Sequence, residues 1–156
     1  VPTLGLLDID GSLVRNVYGD KRLTSDPALL DEVLAGLPPF PWVLQSGILS
    51  TMTAVKTVTG RQARQRQLTI RWFSDYLGIC NVELIMVSYK TKEQYINDKE
   101  SRIRQIVKQW FDDYGDDARV IFIEDDPDII DFLREEFTRP NIQIVTVDSD
   151  GDPYGL

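Results

Sequence analysis

Leu4-Gly5-Leu6-Leu7-Asp8-Ile9-Asp10-Gly11-Ser12-Leu13 is a short apolar run that ends in two carboxylates spaced i, i+2, with a glycine directly after them. A buried strand that stops at Asp8 delivers that side chain to the edge of a sheet. Asp10 then follows on the turn that Gly11 permits. Two acids this close repel each other unless a cation or a shared proton relieves them. The pair suggests a divalent metal, a nucleophile with an acid/base partner, or both. The alternative, for a bare Asp-x-Asp, is a solvated acidic turn.

Apolar runs suited to buried strands recur at 82–87, 119–123 and 142–147, and helical patterns lie between them. Asp26-Pro27 pairs an N-cap with an N1 proline and opens a helix over 28–37. A second helical pattern covers 61–77, with Leu68, Trp72 and Phe73 apolar and Gly78 closing it. Ile103, Ile106, Val107, Trp110 and Phe111 fall at i, i+3, i+4, i+7 and i+8, which makes one buried helix face. Asp126-Pro127 repeats the helix-start signal ahead of Ile129, Ile130 and Leu133. Strands alternating with helices predict an α/β fold, a parallel sheet with helices on both faces. Ligands bind such sheets at the carboxyl ends of the strands. With no repeat or linker in view, 1–156 reads as a single domain.

Residues 38–59 should supply one more central strand, and two segments compete for it. Trp42-Val43-Leu44-Gln45-Ser46-Gly47 is the more apolar. Ala54-Val55-Lys56-Thr57-Val58-Thr59-Gly60-Arg61 has the better phosphate-binding ending but places Lys56 in a buried strand.

Composition narrows the chemistry. There is no histidine, which removes Ser-His-Asp catalysis, His-ligated zinc and a His general base together. Cys80 is alone, so neither disulfides nor a cysteine zinc site frames the fold. Acid–base work falls to carboxylates or lysine, and a metal site would be oxygen-ligated, hence Mg²⁺-like. The net charge of −8 and a pI near 4.5 argue against broad nucleic-acid coating, while leaving room for a local basic patch. No apolar run is long enough to span a membrane and nothing at the start looks like a signal peptide, so a cytoplasmic protein is expected.

Several other segments could carry chemistry. Thr59-Gly60-Arg61 offers a hydroxyl, backbone N–H groups and a guanidinium where a helix begins, either an anion site or a plain N-cap beside an exposed arginine. Lys99 sits early in the helix that runs through Trp110. It is solvated unless that helix points its first turns at the carboxylates. Ile121-Phe122-Ile123-Glu124-Asp125-Asp126-Pro127 ends a β-rich run in adjacent acids; with Asp126 consumed as a cap, Glu124 and Asp125 remain for a metal. Arg61, Arg64, Arg66 and Arg71 form the dense basic stretch of an acidic chain, either a solvated helix surface or a guide for a phosphate-rich substrate. Asp148-Ser149-Asp150-Gly151-Asp152 lacks the glutamate that closes a calcium loop and reads as a solvated tail.

The string Leu-Leu-Asp-Ile-Asp-Gly-Ser-Leu resembles the first motif of the haloacid dehalogenase-like (HAD) phosphohydrolases, and the other segments follow in that superfamily's order. Asp8 and Asp10 match motif I, Thr59 motif II (with Ser46 as the rival), Lys99 motif III, and Glu124-Asp125 motif IV. Thr-Gly-Arg-x-x-Arg-x-Arg-x-Leu-Thr-x-x-Trp, residues 59 to 72, is similar to the phosphatase domain of phage and bacterial polynucleotide kinase-phosphatases. Those proteins often carry an arginine directly after the third strand; here the position is Val87, and Lys90 or Lys92 is the nearest cation.

The resemblance implies a Rossmann-like HAD fold without a cap domain, since the gaps after motif I and after motif II are taken up by core elements. It implies a Mg²⁺-dependent phosphomonoesterase in which Asp8 attacks phosphorus and Asp10 is the acid/base. Asp8, the Asp10 carbonyl, Asp125 and Glu124 would hold the metal. Thr59, Gly60 and Lys99 would hold the phosphoryl group, and Arg61 and Arg64 would orient an adjoining phosphodiester. The expected substrate is a nucleic-acid 3′-phosphate end or a nucleotide, with a homo-oligomer or a fusion to a kinase or ligase domain as the expected context. A capless phosphatase of small metabolites or phosphoproteins, and a non-catalytic interaction module on the same scaffold, are the rivals.

Overall fold

A computed structural model describes all 156 residues. Six strands form one sheet: β1 (Thr3–Leu7), β2 (Ala54–Thr59), β3 (Glu83–Met86), β4 (Arg119–Glu124), β5 (Ile142–Val147) and β6 (Pro153–Tyr154). Their order is β3-β2-β1-β4-β5-β6. The first five run parallel, and β6 returns antiparallel along β5. The helices are α1 (Lys21–Thr24), α2 (Pro27–Gly36), α3 (Pro41–Gln45), α4 (Arg66–Leu77), α5 (Lys92–Tyr114) and α6 (Pro127–Glu136). This is the expected α/β, Rossmann-like architecture.

The period-two alternation of strand side chains sorts the core into two layers. Leu4 and Leu6 of β1 with Val120 and Phe122 of β4 face α5 and α6, where they meet Ile103, Val107, Trp110, Ile129 and Leu133. Leu7, Ile121, Ile123 and Val145 face the other way, against Leu30 and Leu34 of α2, Val43 of α3, and Trp72 and Phe73 of α4. The segments between β1 and β2 and between β2 and β3 are thus used up in covering one face of the sheet. No helix is long and apolar enough to cross a membrane.

The contested strand is Ala54–Thr59. Lys56 is tolerated there because its side chain stays partly in solvent; its register partner on the edge strand β3 is Glu83, whose carboxylate lies 3.3 Å from the ammonium. The more apolar rival, 42–47, folds instead as helix α3, with Pro41 in its first turn and Trp42 donating to the Gly151 carbonyl at 2.9 Å. Ser46 ends up beside Thr3 and Arg119, at the amino ends of the strands and so at the opposite edge from Asp8.

Two further expectations need correction. The helix expected from residue 61 starts at Arg66, after a 3₁₀ turn over Ala63–Gln65. Gln62 and Gln65 cap each other reciprocally, which ends the extended chain there and leaves Arg61 outside the helix. The acidic tail is not merely solvated. Asp148 accepts from the Asp150 and Asp152 amides and from the Tyr154 hydroxyl, and this turn sets up β6.

Candidate active site

The carboxyl ends of β1, β2 and β4 converge on a cavity of about 250 Å³ lined by Asp8, Asp10, Thr59, Gly60, Arg61, Glu124 and Asp125. Strand parity decides who meets whom. Asp8 continues the Leu4, Leu6 side of β1, and Glu124 continues the Val120, Phe122 side of β4, so both turn toward α5. On α5, Lys99 lies one turn before Ile103, on the buried face of that helix. Its ammonium, 3% exposed, sits 2.9 Å from Asp8 Oδ1 and 2.7 Å from Glu124 Oε1. The same four-residue step back from Ile103 was present in the sequence as a sign that Lys99 faces inward.

Asp8 is therefore held from two sides: Lys99 on one oxygen, and the Ser12 hydroxyl, at 2.8 Å, on the other. Ser12 Oγ also lies 2.8 Å from Asp125 Oδ1. One hydroxyl proton cannot serve both carboxylates, so this triangle of oxygens needs a second proton or a cation. Burial would raise the Asp8 pKa, but the Lys99 charge and hydrogen bonds from Asp125, Lys99 and Ser12 hold it below the usual carboxylate range. Asp125 is pushed well above that range by burial and by the adjacent Asp8. Glu124 is pushed up by burial and by the Asp8 charge, with Lys99 pulling the other way.

Oxygens of Asp8, Glu124 and Asp125 all lie within 4.8 Å of one another, an all-oxygen donor group suited to a hard divalent cation. Glu124 is the most committed member. Its Oε1 faces Lys99, and its Oε2 accepts from the backbone N–H groups of Asp125 and Asp126 at 3.0 and 3.2 Å. Asp8 and Asp125 remain as the freer ligands. The Asp10 carboxylate is not in this group. Gly11 shapes the turn: its φ is +86°, and a Cβ there would strike the Asp125 carboxylate. A second carboxylate trio, Asp148, Asp150 and Asp152, belongs to the turn before β6.

Asp10 is gripped by Arg61. The guanidinium donates Nε to Oδ2 at 3.0 Å and Nη2 to Oδ1 at 2.8 Å, a two-point fork, and gives Nη1 to Thr69 Oγ1 at 3.0 Å. Thr59, buried, accepts the Arg61 amide at 3.1 Å and directs its own hydroxyl proton to no protein acceptor. Arg64, expected beside Arg61 as a phosphate guide, is not in the cavity wall. Its guanidinium pairs with Asp31 of α2. Arg66 is also spent, on the Leu84 carbonyl. Val87 is buried in the core, and of the two candidate cations Lys92 reaches the cavity rim, bridging Asp126 at 2.6 Å.

Sequence reading missed the rest of the wall. Asn16, Tyr18, Tyr89 and Tyr95 complete it, from the β1–α1 loop, the β3–α5 loop and the start of α5. Nothing in their local pattern marks them, because loops far apart in the chain bring them together.

No protein-family model matches the sequence, and no curated protein matches it. The fold is similar to one chain of the solved Pnkp1/Rnl/Hen1 complex, with a TM-score of 0.57 at 18% sequence identity. The match covers 97% of this chain and 47% of that one, so this chain spans about half the length of its structural neighbour. At that identity the likeness is one of fold.

Proposed function

We propose that the protein is a Mg²⁺-dependent phosphomonoesterase that works through an aspartyl-phosphate and acts on nucleic-acid 3′-phosphate ends. The observation that carries this is Asp8, a largely buried carboxylate held ionised by Lys99 and Ser12, with the Arg61-gripped Asp10 in the same cavity wall. Asp8 would attack phosphorus in line. Asp10 would protonate the leaving hydroxyl and then activate water for hydrolysis of the acyl phosphate. Arg61 positions that carboxylate. Thr59, through its free hydroxyl proton, and the Gly60 N–H would hold the phosphoryl oxygens, and Lys99 balances the negative charge around Asp8.

Asp8, Asp125 and the Asp10 carbonyl would hold the metal, with Glu124 fixing Lys99 and contributing through its place in the acidic group. A bound Mg²⁺ would neutralise the attacking carboxylate and the phosphoryl oxygens. Polynucleotide specificity rests on the 59–72 motif and runs in the same direction as the fold likeness. On this reading 1–156 works as one domain. A nucleotide, small metabolite or phosphoprotein substrate would keep the chemistry and change the partner.

A substrate panel tests the proposal. A 3′-phosphorylated oligonucleotide, a mononucleotide, a phosphopeptide and an aryl phosphate are each assayed with Mg²⁺ and with EDTA. Turnover should require Mg²⁺ and favour the oligonucleotide. Asp8→Asn should lower it by about a thousandfold or more with the fold intact. Residual activity above about a tenth of the parent would place the nucleophile elsewhere.

A further inference from the structure

The cavity wall carries an aromatic feature that phosphoryl transfer does not use. Tyr89 is 47% exposed and its hydroxyl makes no hydrogen bond within the protein. Its ring packs on Tyr95, centroids 4.9 Å apart and planes tilted by 48°. Tyr95 is committed inward: its hydroxyl takes a hydrogen bond from Lys99 at 3.3 Å, and the Lys92 and Lys99 ammonium groups lie 5.9 and 5.6 Å from its ring centroid. It acts as the prop, and Tyr89 is the outer ring.

The pair lies directly on the proposed phosphate loop. A Cβ on Gly60 would come within 2.9 Å of Tyr89 Cε1 and 3.1 Å of Tyr95 Cε2, so both rings lie close over the Gly60 backbone. A phosphoryl group held by Thr59 and the Gly60 N–H would therefore bring its ester-linked neighbour up against Tyr89. Tyr18 lines the same cavity, 37% exposed, its hydroxyl pushed up to about 12 by burial and the nearby Asp10 charge. Tyr89 and Tyr18 present flat, weakly polar faces in a cavity whose wall is otherwise mostly charged or polar.

We infer that Tyr89 is a base-stacking platform, which takes the nucleobase of the phosphorylated terminal nucleotide while its phosphate occupies the Thr59-Gly60 loop. The inference rests on the polynucleotide reading above and names the element that recognises the terminal residue. Stacking suits a π-faced base without regard to its sequence.

Two probes test it, both 3′-phosphorylated oligonucleotides bound with Mg²⁺ to the full chain carrying Asp8→Asn, so that no turnover intervenes. One ends in 2-aminopurine, whose fluorescence is quenched by stacking; the other ends in an abasic residue. The 2-aminopurine should be quenched on binding. Adding Tyr89→Ala should abolish the quenching and weaken that probe by about 5- to 100-fold. Tyr89→Phe should restore both, and the abasic probe should bind with or without Tyr89→Ala at one affinity. Quenching and affinity unchanged in Tyr89→Ala, beside normal 3′-phosphatase turnover by the parent, would overturn the stacking alone. Failure of either probe to bind, with no turnover of 3′-phosphates, would overturn the polynucleotide reading with it.

Discussion

Lys99 is the residue on which the site's electrostatics turn. It is buried between Asp8 and Glu124, and its own pKa, which burial alone would lower, is raised well above the usual lysine value by those two acids. A raised lysine pKa means its ionic contribution is fully present below the ordinary lysine range and is lost only as pH climbs through the shifted value. It is therefore constant across neutral pH. Lys99→Met should leave buried Glu124 and largely buried Asp8 without their cation and destabilise the fold by about 3–5 kcal/mol near neutrality. The loss should shrink as pH falls and Asp8 and Glu124 take up protons. Chemical denaturation of parent and variant at about pH 5 and about pH 8 checks this. An equal loss at both values would mean that packing, not charge, is what Lys99 supplies. Its spacing from Ile103 was readable in the sequence; the acids that justify burying a lysine stand at the carboxyl ends of β1 and β4, far away in the chain.

At the scale of elements, the turn leaving β1 converts a strand into a site. Gly11 has positive φ, and its missing Cβ leaves room for Asp125 from the end of β4. Gly115 has a similar φ, +88°, after the end of α5, with no atom within 4 Å of where a Cβ would stand. Alanine at either position should cost about 1–3 kcal/mol for the strained backbone. Only Gly11→Ala should also displace Asp125 and raise the Mg²⁺ concentration needed for half-maximal effect. Thermal melts with Mg²⁺ titration compare the two; equal Mg²⁺ dependence would separate Asp125 from the metal. Neighbouring elements show how local signals succeed. Asp26 and Asp126 both cap helices whose first residue is proline, as the sequence pattern predicts.

For the whole molecule, the gathered acids tie stability to pH and, on the proposed function, to a divalent cation. Glu124 and Asp125 both have pKa values raised above the carboxylate norm. At these two carboxylates the cation-free fold therefore binds protons more tightly than the unfolded chain, whereas Asp8 is shifted the other way. That stability is present below the ordinary carboxylate range and is lost as pH rises through the raised values. A divalent cation bound at the proposed site would take the protons' place, so its stabilisation should grow with pH. Melting temperatures with Mg²⁺ and with EDTA, from about pH 5.5 to about pH 8.5, should diverge steadily. A difference that stays flat across that range would mean that the ion does not compete for these carboxylates.

Short-range physics made much of the molecule legible in one dimension. Four of the five parallel strands, the two Asp-Pro helix starts, the buried face of α5 and the delivery of acids to strand ends follow from periodicity and capping, which act within a few residues. The fifth strand needed the sheet itself. Lys56 fits β2 because its side chain stays partly in solvent there, next to Glu83 of the edge strand, while 41–45 folds as a helix behind Pro41. The same holds for Arg61, which reads as an exposed phosphate guide and is drawn inward by Asp10 and Thr69, and for Arg64, which finds Asp31. Tyr18, Tyr89 and Tyr95 share no local pattern, and only the folding of two distant segments onto one sheet edge makes them a wall. Backbone periodicity is a property of neighbours in sequence. Charge pairing and cavity lining are properties of neighbours in space, and in a parallel sheet those are set by strand order and register.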